Sequence, residues 1–153
     1  MIAALFHNVR SSLNVGALFR TADGAGVAKI YVSGYTPKPV DRFGRPDGRI
    51  AKTALGAEQS VPWEYQKNPY RIISKLREEG WQIVGVEQDA RSIDYRAFKP
   101  NRKTLFIFGN EVRGISAALR ASCDALVEIP MRGSKESLNV SVAAGIILYT
   151  FCE

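Results

Sequence analysis

Three polar segments hold the side chains of this chain that could bind and transform a ligand. The first carries Asn14, Gly16 and Arg20, the second Gly109, Asn110, Glu111 and Gly114, and the third Ser137, Leu138, Asn139 and Ser141. Arginine stays protonated in proteins, so Arg20 offers a permanent cation to a phosphate or a developing oxyanion and is a poor proton acceptor. The asparagines can both donate and accept hydrogen bonds, Glu111 supplies an anion, and the glycines let backbone approach a ligand closely. A conventional general base is missing. The one histidine, His7, adjoins the end of an apolar strand pattern, where a structural or accessory role suits it better than catalysis. With one histidine and two cysteines, Cys123 and Cys152, that form no CxxC pair, no metal site is predicted and the thiols are expected to be reduced.

Two nucleotide-binding fingerprints fail on inspection. In FGNEVRGIS, Phe108 to Ser116, the glycines have P-loop spacing, but Ile115 stands where the phosphate-binding lysine belongs. Gly24 and Gly26 end a predicted helix instead of following a strand, and Lys29 takes the place of the third glycine of a dinucleotide-binding turn. ATP and NAD are therefore disfavoured. Each polar segment, taken alone, also has a structural explanation: Asn14 as a helix cap, Glu111 and Ser137 as complements to helix N-termini, Gly109 and Gly114 as turn formers.

The elements around these segments must hold them together. Ile2 to Phe6 reads as a buried strand, and Asn8 to Ser12 supply the turn and N-cap of a helix whose stripe is Val15, Leu18, Phe19 and Ala22. Asp23-Gly24-Ala25-Gly26 stops that helix before a strand at Lys29 to Ser33. Gly34 to Arg49, with three prolines among Lys38, Arg42, Arg45 and Arg49, reads as a long basic surface loop suited to a phosphate backbone. A second unit runs from Ser60 to Tyr65, through a helix opened by Asn68-Pro69 and closed by Gly80, to a strand at Trp81 to Glu87. Arg91 to Pro100 is a connection, Leu105 to Phe108 a strand, Ser116 to Ala121 a short helix, Ala125 to Ile129 a strand, and Leu138 to Phe151 a final helix apolar on nearly every side. Alternating strands and helices predict an α/β fold with a mostly parallel sheet covered on both faces, its ligand sites in loops at the carboxyl ends of strands.

Composition bounds the rest. A chain of 153 residues, 46% hydrophobic and 24% charged, fits one core and one domain. A net charge of +6 favours a polyanionic partner. Met1 to Phe6 lacks the features of a signal peptide, and no window is long enough to span a bilayer, so a soluble cytoplasmic protein with no membrane association is expected.

In order and spacing the three segments resemble the motifs of the SpoU, or TrmH-type, family of RNA ribose methyltransferases in the SPOUT superfamily, over essentially the whole chain. NVGALFR matches the first motif with Asn14, Gly16 and Arg20; FIFGNEVRGIS matches the second; VEIPMRGSKESLNVSVAAGI, long and specific, matches the third. GAEQSVPW, Gly56 to Trp63, is similar to the family's middle region. The resemblance implies S-adenosylmethionine as methyl donor, no metal, a homodimer, a tRNA or rRNA substrate methylated on a ribose 2′-hydroxyl, and a C-terminal trefoil knot added to the parallel α/β sheet. Residues 1–153 would then form one SPOUT catalytic domain without an extra RNA-binding domain.

On this resemblance the cofactor contacts are Gly109, Asn110, Glu111, Ile129, Met131, Ser137, Leu138 and Asn139, with Ile129 and Leu138 equally explicable as core. The catalytic set is Arg20, Asn14, Glu111, Ser137 and Asn139, with Arg20 as activator of the ribose hydroxyl. Glu111 either organises the motifs through backbone N–H groups or approaches the sulfonium. Arg20, Lys38, Arg42, Arg45 and Arg49 form the expected RNA contacts. Gly16 and Arg20, four apart on a helix, suggest a space for phosphate or ribose beside the guanidinium. A non-catalytic RNA-binding module on the same fold and a small-molecule nucleotide-binding protein are the competing readings.

Overall fold

The computed structural model describes all 153 residues, Met1–Glu153. Seven strands, β1 (Ile2–His7), β2 (Lys29–Ser33), β3 (Trp63–Tyr65), β4 (Gln82–Val86), β5 (Ile93–Asp94), β6 (Thr104–Phe108) and β7 (Ala125–Glu128), pair in parallel in the order β3-β2-β1-β6-β4-β7-β5. The centre of the sheet is β1 beside β6, with Ala4 opposite Phe106 and Leu5 opposite Ile107. Both strands are nearly continuous apolar runs, as a strand covered on two faces requires.

Alternation of side chains divides that run between two cores. Ile2, Ala4, Phe6, Phe106 and Phe108 face one layer, where they meet α1 (Ser12–Ala25), α2 (Gly48–Ala54), α3 (Ala57–Ser60) and α6 (Val140–Phe151). Ala3, Leu5, Leu105 and Ile107 face the opposite layer and pack on α4 (Pro69–Glu78) and α5 (Ala117–Ala121). The sheet thus lies between two helical layers.

Three expectations shift. The basic loop is shorter than its composition suggests, because Asp47 caps a helix: its Oδ1 accepts the N–H groups of Arg49 and Ile50, and burial of Ile50 and Ala54 holds α2 against α1. Ser60 ends α3 and the strand begins only at Trp63, since Ala57 and Val61 turn inward on the α1 side. The final helix starts at Val140, where Asn139 caps it by accepting from Ser141 N–H. The Arg91 to Pro100 connection contains β5 and a 3₁₀ turn at Tyr95–Ala97. No helix is long and apolar enough to cross a membrane.

Candidate active site

A cleft of about 340 Å³ opens at the carboxyl ends of β4, β6 and β7, the edge at which parallel α/β sheets bind ligands. Seven of the eight cofactor candidates line it: Gly109, Asn110, Glu111, Ile129, Met131, Ser137 and Leu138. Asn139 stands behind the lining, capping α6. Four acidic residues, Glu87, Glu111, Glu128 and Glu136, are among its lining with one arginine, Arg113; the carboxylates of Glu111 and Glu87 are bonded to neighbouring loops. In a chain of net charge +6 this is a local excess of negative charge, and Ile129, Met131, Leu138 and Val140 supply apolar cover.

The polar segments are tied to one another across 97 to 125 residues of sequence. Glu111 accepts the backbone N–H groups of Arg10 (2.8 Å) and Ser11 (2.9 Å) and the side-chain amide of Asn14 (3.3 Å). Partial burial alone would raise the Glu111 carboxyl, but these bonds and its own backbone N–H outweigh burial and hold it below the ordinary glutamate range. Asn139 Nδ2 reaches Asn14 Oδ1 at 3.4 Å, so Asn14 is the residue at which all three segments meet. Asn110 Nδ2 donates to the Asn8 carbonyl and to the Tyr35 hydroxyl, while its Oδ1 accepts from Val112 and Arg113 N–H.

Glu87, which sequence reading placed only at a strand end, fastens the other side of the same loop. Its Oε2 accepts Ile115 N–H at 2.8 Å, and it packs so closely on Gly114 (φ 65°) that a Cβ there would collide with the carboxylate. A Cβ on Gly109 would strike the Gly114 carbonyl and Ile115 N. Both glycines are demanded by loop closure. The only sequence signal for Glu87 was a carboxylate ending an otherwise apolar strand.

Arg20 does not line this cleft. Six residues beyond Asn14, it lies about 9 Å further along α1, exposed, in a separate depression with Lys52, Thr53 and Tyr149. Nor does Gly16 leave space beside it for phosphate or ribose. A Cβ at Gly16 would collide with Thr53 Oγ1 and the Ile50 carbonyl, so this glycine serves the close approach of α1 and α2. The basic loop is exposed: Lys38 lies 4.7 Å over the Tyr65 ring, Arg42 and Arg45 sit against Phe43, and Arg49 stands in the first turn of α2.

His7 Nδ1 is 2.7 Å from Ser33 Oγ, and burial lowers its pKa, which keeps the ring neutral near pH 7. Both cysteines are free, and burial pushes the Cys123 thiol up to about 11, so no thiolate nucleophile is available there. No group of three or more His, Cys, Asp or Glu is placed to hold a metal ion.

A parallel α/β sheet whose second and third polar segments wall one cleft defines the class, and the chain belongs to the SpoU rRNA methylase family, whose model matches residues 1–149. Among curated relatives, the 23S rRNA (guanosine-2′-O-)-methyltransferases RlmB of Salmonella typhi and Escherichia coli are each 40% identical over 136 residues, covering 89% of this chain and 53% of theirs. The chain thus spans about half the length of these relatives. The SpoU methyltransferase AviRb of Streptomyces viridochromogenes, solved with the cofactor AdoMet, superposes with a TM-score of 0.85 at 30% identity over 96% of this chain and 57% of its own. The TrmH/SpoU tRNA modifying enzyme of A. aeolicus gives 0.81 at 30% identity, over 97% and 72%.

Proposed function

We propose that this chain is an S-adenosylmethionine-dependent methyltransferase acting on a ribose 2′-hydroxyl of RNA. The observation that carries the reading is the acid-lined cleft walled by the second and third segments and tied through Glu111 and Asn139 to Asn14. Its volume lies within the range of ordinary small-molecule sites, roughly 300–1,000 Å³, and its charge suits a ligand bearing a sulfonium and an ammonium group. When bound, S-adenosylmethionine supplies an activated methyl group on a positively charged sulfur.

The residues present fit that group. Gly109, Ile129, Met131 and Leu138 would hold its apolar and adenine surfaces, with Asn110 and Ser137 at the polar edge. Glu111 keeps the cleft loop docked on the first segment, and the cleft carboxylates offset the ligand's charge. Arg20 would bind a phosphate of the RNA and stabilise negative charge developing on the 2′-oxygen, a role suited to a group that does not deprotonate.

Arg20 lies outside its own chain's cleft, so the reading includes a homodimer in which α1 of one copy faces the cleft of the other. Exposed Leu13, Val142 and Tyr149 on α1 and α6, at 50%, 49% and 61%, supply the apolar surface for such a contact. The family's trefoil knot is part of the proposal: the segment between β7 and α6 passes beside the Phe108–Ile115 loop and brings Asn139 onto Asn14. Lys38, Arg42 and Arg49 would track the RNA backbone, with Arg45, paired to Asp41, shaping the tip of the loop. The two free cysteines agree with a cytoplasmic setting. The relatives make a guanosine of ribosomal RNA the first substrate to test.

Two measurements test the reading together. Calorimetry should detect S-adenosylmethionine binding, and incubation with labelled donor and total RNA, followed by nucleoside mass spectrometry, should yield one 2′-O-methylated nucleoside. RNA binding with no donor binding would instead leave a non-catalytic module, and the proposal would be abandoned.

A further inference from the structure

At the tip of the basic loop stands a side chain that the methyltransferase reading leaves without a task. Phe43 is 66% exposed, and the guanidinium centres of Arg42 and Arg45 lie 4.8 and 4.9 Å from its ring centroid. Exposed apolar side chains are ordinary, and Val112 is more open still at 93%; what sets Phe43 apart is an aromatic ring held between two arginines at the tip of a basic loop.

The tip is rigidly built. Val40 and Pro46 bridge in antiparallel fashion, Asp41 N–H donates to the Arg45 carbonyl at 2.8 Å, and Gly44 N–H donates to the Asp41 carbonyl at 3.0 Å. The Asp41 carboxylate accepts Phe43 N–H (2.8 Å), Arg45 N–H (2.9 Å) and Arg45 Nε (2.9 Å). Arg45 is therefore held by Asp41, which fixes its guanidinium over the ring and leaves the stacking of a base to a face that Arg42 can vacate. Arg42 makes no ion pair and is free to meet a phosphate. At the root of the loop, the Tyr35 hydroxyl accepts from Asn110 Nδ2, which joins the loop to the cleft.

We propose that Phe43 is a stacking platform for an unpaired base of the RNA, with Arg42 on the adjoining phosphate. This rests on the reading of the protein as an RNA enzyme and sharpens it: the substrate carries a single-stranded or looped nucleotide near the target ribose. The chemistry is specific to unpaired bases, because a base inside a helix has both faces covered by its neighbours, whereas an extruded one offers a face to an aromatic ring. A preformed tip lowers the ordering cost of that contact. Stabilising the hairpin alone would not require the ring to face solvent.

The test uses a fluorescein-labelled 12-nucleotide oligoadenylate, free and annealed to oligouridylate, read by anisotropy over a series of salt concentrations. Phe43→Ala should weaken binding of the single strand by about 5- to 150-fold, the range base–aromatic stacking supplies, with Phe43→Trp restoring it and duplex binding unchanged. The salt slope should persist in Phe43→Ala and fall by about 0.7 in Arg42→Ala, one phosphate contact on a single strand. Unchanged single-strand affinity, or equal losses on single strand and duplex, would overturn the proposal. So would a change in the mass of Phe43→Ala by light scattering, which would make the tip a contact between copies of the chain. Donor calorimetry on the same samples separates the two hypotheses: if donor binding is absent but the stacking signature is present, only the enzymatic reading fails.

Discussion

Arg20 and Glu111 have opposite fates in the fold. Glu111 is enclosed by donors from the first segment, so of its two expected roles the geometry favours organising the loops; Arg20 remains exposed and without a carboxylate partner. Replacing Arg20 with Ala should cost at least about 100-fold in turnover, typical for loss of one charge-stabilising group, while calorimetric donor affinity stays within error. Glu111→Gln should lower stability by about 1–2 kcal/mol, since the weaker acceptor serves backbone donors that lose a charged partner. The sign of its pH dependence follows from a carboxyl held low. The contribution is complete above the ordinary glutamate range and disappears as pH falls through the lowered native value. Denaturation curves should show a constant gap between wild type and Glu111→Gln near neutrality, narrowing below about pH 4.

The helices transmit these constraints, and α1 most of all, since it carries Asn14 on one side and packs on α2 through Gly16. Gly16→Ala inserts a methyl group against the Ile50 carbonyl and Thr53, where backbone cannot yield easily. Overpacking of that kind costs about 1–3 kcal/mol, so the melting temperature should drop, and donor affinity should weaken as Asn14 moves relative to Glu111 and Asn139. An unchanged melting temperature would remove this account of the glycine. Helix α2 was hidden in the sequence because Pro46-Asp47-Gly48 has turn composition, and only the burial of Ile50 and Ala54 against α1 reveals Asp47 as a cap. The apolar stripe of α1 and the continuous runs of β1 and β6 were legible, since each buries a face whose period is written in the chain.

For the molecule as a whole, α6 is the element that bears on assembly. Val140, Ala144, Ile147 and Leu148 enter the core while Val142 and Tyr149 remain exposed, so a helix apolar all round is covered on one side only. Light scattering should give twice the 16.9 kDa chain mass, and Val142→Glu, by burying a charge in the proposed contact, should return it to the monomer and abolish turnover; a wild-type monomer would refute the dimer. Composition and periodicity sufficed for the sheet and its helical layers, because burial period and turn chemistry are local properties that a chain displays in order, whereas the seven cleft-lining residues came from the resemblance of three spaced motifs to a known family. The meeting of Asn14 with Glu111 and Asn139, the grip of Glu87 on Gly114 and the separation of Arg20 from the cleft depend on contacts between residues far apart in order. Those follow from how strands β1, β4, β6 and β7 are laid side by side, which no local pattern encodes.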